Sequence, residues 1–109
     1  MIPKGQRLSR TESSRADREG FRASVGVIQA RVLPLPEAAV GRYVVIAGKA
    51  ASKSSVDRHT IRRRVAAAMN EAVAAEGFRG DAVVRVRADV SKRPFEDLVA
   101  DCKALLRRR

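Results

Sequence analysis

The chain has no tryptophan, one tyrosine, three phenylalanines, one cysteine and one histidine in 109 residues. A lone cysteine, Cys102, excludes an intrachain disulfide and leaves a thiolate zinc site short of ligands, so it reads as a small core residue. A lone histidine, His59, removes histidine-based metal clusters and makes any Ser-His-Asp or Cys-His arrangement depend on one ring inside a basic run. Composition therefore argues against most self-sufficient hydrolases. No stretch approaches the roughly eighteen consecutive apolar residues of a spanning helix. The N-terminal MIPKGQRLSR has no apolar signal core, and a soluble, cytoplasmic protein with no membrane partner is expected.

Apolar residues at 45% and charged residues at 32% describe a folded chain, and its length suits one domain over residues 1–109 with one buried core. Lys and Arg number 23 against 12 Asp and Glu, a net charge of +11. Such an excess repels itself until a polyanion neutralises it, so nucleic acid or an anionic surface is the expected partner.

Residues 6–19 are polar with alternating charge and stop at Gly20, which suits a short exposed helix. Residues 24–33 are rich in branched side chains and close on Pro34-Leu35-Pro36, as a strand entering a loop does, and residues 42–47 form a second short apolar run. From Ser55 to Glu76 the period becomes helical, with Ile61, Val65, Ala68, Met69 and Ala72 on one side, Ser54 or Ser55 as cap and Gly77 as stop. Residues 82–88 alternate as a strand with Val83, Arg85 and Arg87 on one face. Pro94 opens a last helix whose apolar stripe is Phe95, Leu98, Val99, Cys102, Leu105 and Leu106. The order is helix, two or three strands, helix, strand, helix. This is an α+β fold, a small α/β sandwich, and nothing in the pattern gives the strand order.

Residues 49–64, KAASKSSVDRHTIRRR, hold Lys49, Lys53, Arg58, Arg62, Arg63 and Arg64 plus His59 against the single acid Asp57. Helical spacing stacks Arg58 on Arg62 and His59 on Arg63, beside an inward seam of Ile61 and Val65. Guanidinium forks in such rows bind successive phosphates. The carboxylates show no spacing that gathers a metal. Asp81, Asp89, Asp97 and Asp101 read as caps, turns or surface charges, Tyr43 as a sheet core or rim residue, and the Arg107 to Arg109 run either binds RNA or frays.

These residues carry a resemblance to the bacterial ribonuclease P protein component. Arg58, His59, Thr60, Ile61, Arg62 and Arg63 stand at the positions of its central basic motif, with Lys49 and Lys53 ahead of them. MIPKGQRLSRTES is similar to its opening helix, RYVVIAGK to the strand before the lysines, DAVVRVR to its last strand and RPFEDLVADCKALLRR to its terminal helix. His59 and Thr60 replace the usual Asn and Arg. Ser13 and Asp17 stand where phenylalanines often help line a groove for single-stranded RNA.

The resemblance implies three strands before the central helix, all around one small sheet, and an uncommon left-handed strand–helix–strand crossover. It implies an accessory subunit of a ribonucleoprotein that removes the 5′ leader of precursor tRNA and needs less magnesium when the protein is present. The RNA subunit supplies the catalytic groups and mainly holds the Mg2+, and no small-molecule substrate is involved. Lys49, Lys53, Arg58, His59, Thr60, Arg62, Arg63 and Arg64 become the RNA-binding set, and Arg7, Arg10, Ser13, Asp17, Tyr43, Arg85 and Arg87 candidates for a leader cleft. A ribosomal or histone-like structural nucleic-acid protein would share the charge and the size.

Overall fold

Short polar residues start the first two helices. Ser9 accepts a hydrogen bond from the Glu12 backbone N–H while Glu12 accepts one from that of Ser9, a reciprocal cap that opens α1 (Arg10–Glu19). The computed structural model describes residues 4–107; Met1–Pro3 of the opening motif, and Arg108 and Arg109 of the terminal arginine run, lie outside the described residues. The helix expected from residue 6 thus begins only after Ser9. A single 3-10 turn covers Lys4–Gln6, and Arg7 makes one isolated parallel bridge with Tyr43.

The run expected as one strand over 24–33 is a hairpin of β1 (Phe21–Val25) and β2 (Ile28–Pro34). Gly26 has φ +57 and Val27 does not share a positive φ, the backbone of a type II′ turn, whose twist matches the paired strands. β3 (Gly41–Ala47) and β4 (Gly80–Val86) complete a sheet of order β1-β2-β4-β3. β4 pairs antiparallel with β2 and parallel with β3. The parallel pair needs a crossover, supplied by α2 (Ser55–Glu76), which Ser54 caps and Gly77 ends at φ +60 in the left-handed region. α3 (Phe95–Arg107) closes the chain.

Alternation along the strands separates two layers. Ile28, Ala30, Val32, Tyr43, Val45, Ala82, Val84 and Val86 point to one face and pack with Ile61, Val65 and Met69 of α2 and Leu98, Cys102 and Leu105 of α3. The other face is covered only in part, where Ala16 of α1 meets Leu8 and Val83. Leu33 and Val44 pack at the edge of that patch, Ile46 stays exposed, and the β1–β2 side of the face is polar and open beside α1.

Candidate nucleic-acid interface

β3 and β4 are parallel neighbours, so the loops that leave them emerge at the same end of the sheet. The loop after β3 carries Lys49 and Lys53 into the start of α2. There Lys49, Lys53, His59, Arg62 and Arg63 are exposed. The other three of the expected set are partly occupied by the fold. Arg58 is half-buried and its Nη1 donates to the carbonyls of Ser52 and Lys53 at 3.0 and 3.2 Å, so it fixes the loop and does not stack as an open row with Arg62. The Thr60 hydroxyl donates back to the Val56 carbonyl. Arg64 Nη1 donates to the carbonyls of Val90 and Ser91 at 3.2 and 2.8 Å, tying α2 to the segment after β4.

On the opposite face of the sheet, β1, β2, β4 and α1 enclose a cleft of about 450 Å³ lined by Asp17, Arg22, Ser24, Gln29, Arg31, Arg85 and Arg87 with two alanines. The lining includes no aromatic ring. Asp17 reaches down from α1 and accepts two hydrogen bonds from Arg85, both 2.9 Å. These bonds hold its carboxyl below the usual aspartate range against an opposing push from burial, with the charges of Arg85 and Arg31 adding to the effect. Arg87 Nε donates to the Gln29 amide oxygen at 3.0 Å. Arg22 and Arg31 face each other directly across the β1–β2 pair.

Asp17, Arg85 and Arg87 of the expected cleft set are thus brought together. Ser13 is half-buried on the same helix, and Arg7 and Arg10 are exposed at its start, but none of the three lines the cleft. Tyr43 drops out of the cleft set and is the sheet core residue its other reading expected: it is fully buried on the far face of the sheet, its hydroxyl donating to Asn70 Oδ1 at 3.4 Å. Burial, with a smaller contribution from Cys102, pushes its phenol up to about 12, and its place on the far face keeps it out of the cleft lining. Sequence reasoning missed Arg22, Ser24, Gln29 and Arg31. The signal was present, because the apolar phase shifts from Ala23 and Val25 to Ile28, Ala30 and Val32 across Gly26-Val27.

Asp81 is also no surface charge. It is 1% exposed and accepts from Arg42 Nε at 3.1 Å, while Arg42 also pairs with Glu12 of α1. Asp89 caps the turn after β4 by accepting from the Ser91 N–H, and Arg93 donates to Asp101. Arg107 is bound by both oxygens of Glu76 at 2.8 Å, which fastens the end of α3 to the end of α2.

Two polycationic surfaces, one at a helix start and one in a cleft on the other face of a four-stranded mixed sheet, define the class as a small basic α+β domain. The family model described as Ribonuclease P matches residues 3–109. The chain belongs to that family, and is thereby a protein subunit of ribonuclease P, one component of an endoribonuclease ribonucleoprotein of tRNA processing. No curated protein matches it in sequence. Its fold is similar to that of the Staphylococcus aureus RNase P protein, with TM-score 0.68 and 15% identity over 94% of each chain. It is similar also to a mutant of that protein described as defective in mRNA degradation activity, with TM-score 0.70 and 16% identity over 94% of this chain and 86% of the other. A further structure of the S. aureus protein matches with TM-score 0.61 and 13% identity over 100% and 97%.

Proposed function

We propose that this subunit assists a catalytic RNA in removing the 5′ leader from precursor tRNA in the cytoplasm, with the start of α2 on the catalytic RNA and the outer-face cleft on the leader. The observation that carries this reading is family membership over nearly the whole chain. The division between surfaces is supported by their shapes. The α2 start presents exposed cations to solvent, suited to the flank of a folded RNA, whereas the cleft is a recess of about 450 Å³ between α1 and the sheet, suited to a single strand.

In this reading the cleft grips phosphates more than bases. Arg22, Arg31, Arg85 and Arg87 supply guanidinium forks, and with no aromatic ring in the lining the stacking that gives a strand its base-facing hold is not on offer. The hold is therefore tolerant of leader sequence. No described helix is long and apolar enough to cross a membrane. Among the described residues no three His, Cys, Asp or Glu side chains come together to hold a metal ion. In this reading the RNA subunit mainly holds the Mg2+ ions, which supply the activation of water for phosphodiester hydrolysis. The protein's excess of positive charge replaces part of the counterion needed to bring two RNAs together, which lowers the magnesium requirement.

The test is leader removal across a magnesium series, with catalytic RNA alone, chain alone and both. The chain purified free of RNA is expected to cut nothing, and its addition to the RNA is expected to shift the midpoint to lower magnesium. Cleavage by the chain alone, or an unchanged midpoint, would overturn the proposal.

A further inference from the structure

The outer face of the sheet carries costs that folding does not recover. Arg22 and Arg31 are directly opposite in the β1–β2 register, and like charges in that position destabilise a strand pair. The Nε of Arg31 is buried with no hydrogen-bond partner, which adds the desolvation penalty of an unmet donor. Arg85 and Arg87 line the same cleft, and Asp17 is the one acid in its lining. Such a group of cations is arranged for an anion.

Asp17 already behaves as that anion. Its two oxygens take both terminal nitrogens of Arg85 at 2.9 Å, and the charge of Arg31 also acts on it. A carboxylate in this bidentate geometry presents the same pair of oxygens to a guanidinium that a phosphodiester does. The ion pair is not sealed in, since Asp17 and Arg85 side chains are 36% and 32% exposed. It can therefore open at modest cost.

We infer that Asp17 occupies the seat of a leader phosphate and is displaced from Arg85 when single-stranded RNA enters the cleft, so that the chain carries its own competitor for that site. This rests on the leader-cleft reading proposed above. The consequence is a weaker grip than four arginines would otherwise give. One fewer counterion is released as well, because Arg85 exchanges an internal anion for an external one. Tight retention of any passing single strand is thereby avoided.

The test is fluorescence anisotropy of a labelled single-stranded oligoribonucleotide titrated with the full chain over a salt series. Arg62 and Arg63 are replaced by Ala throughout to silence the α2 surface. Asp17→Asn keeps the size of the side chain but removes its charge and one of its two acceptor oxygens, Asp17→Ser removes the competitor by a second route, and Arg87→Ala reports on the cleft itself. Both Asp17 variants are expected to bind roughly fivefold tighter, the worth of a half-exposed ion pair. Their slope of log affinity against log salt is expected to steepen by about 0.7, and Arg87→Ala is expected to bind more weakly. Unchanged or weaker binding by both Asp17 variants, with Arg87→Ala still weakened, would leave the cleft reading standing and overturn the competitor. No change in any of the three variants would overturn the cleft reading and the competitor with it.

Discussion

Arg42 is held between two acids of opposite temperament. Glu12 is kept below the ordinary glutamate range first by the Ser9 backbone N–H of the helix cap, with burial opposing and the Ser9 hydroxyl and Arg42 adding to it. Asp81 is pushed above the ordinary aspartate range by burial, against the charge and hydrogen bonds of Arg42. The signs follow from linkage. A lowered carboxyl contributes stability above its ordinary value that is lost as pH falls through its folded one, whereas a raised carboxyl contributes stability at low pH that is lost as pH rises. Asp81 therefore depends on Arg42 at neutrality. Arg42→Met is expected to destabilise the fold by about 3 kcal/mol near neutral pH by leaving a buried charge unpaired. The deficit relative to the parent is expected to shrink on acidification as Asp81 takes up a proton; urea midpoints at neutral and at acid pH check both expectations. His59, exposed between Arg58 and Arg62 in sequence, makes a binding prediction instead. Its ring can both donate and accept a hydrogen bond, so His59→Asn, which keeps a hydrogen-bonding side chain, is expected to preserve RNA affinity and His59→Ala to lower it several-fold. Affinities at constant salt measure it. Residue roles of this kind were legible only where chemistry and position coincide. The basic run could be read from spacing, but Arg58 and Arg64 anchor loops whose paths no periodicity describes, and Tyr43 sits one residue from the outer-face position of Arg42.

At the level of elements, the helices were legible because their ends are marked. Ser54 and Gly77 bound α2 where expected, and Pro94 stands immediately before α3. The hairpin was not, since its turn is a glycine and a valine inside a run of branched residues, and only the phase shift around them betrays it. Strand order was beyond reach for a different reason: β4 is buried on both faces between β2 and β3, yet its composition differs little from that of its neighbours. Two glycines separate conformational strain from steric conflict. A Cβ on Gly77 would meet nothing within 4 Å, so Gly77→Ala pays only for its left-handed φ of +60, about 1 kcal/mol. Gly80 combines φ +141 with a Cβ position 2.2 Å from the Leu33 carbonyl oxygen, so Gly80→Ala must part β2 from β4. Thermal unfolding is expected to show a modestly lowered midpoint for the first and loss of the cooperative transition for the second.

For the whole molecule, the sheet acts as a partition. The parallel β3–α2–β4 unit brings the basic start of α2 to the end of the sheet where Arg85 and Arg87 leave β4, while the sheet itself keeps the cleft on the opposite face from the helix. In the proposed reading, two RNAs are held by one small domain without competing for the same arginines. The most direct test is the affinity ratio of reconstituted ribonuclease P for precursor tRNA with a long leader over the same substrate trimmed to a single leader nucleotide. It is measured at saturating protein for the parent, for Arg22→Ala with Arg87→Ala, and for Arg62→Ala with Arg63→Ala. The expected result is a ratio that falls toward unity in the cleft variant alone, with the α2 variant needing more protein to assemble but then discriminating as the parent does. A cleft variant that keeps the parental ratio, or an α2 variant that loses it once assembled, would contradict the assignment of the two surfaces.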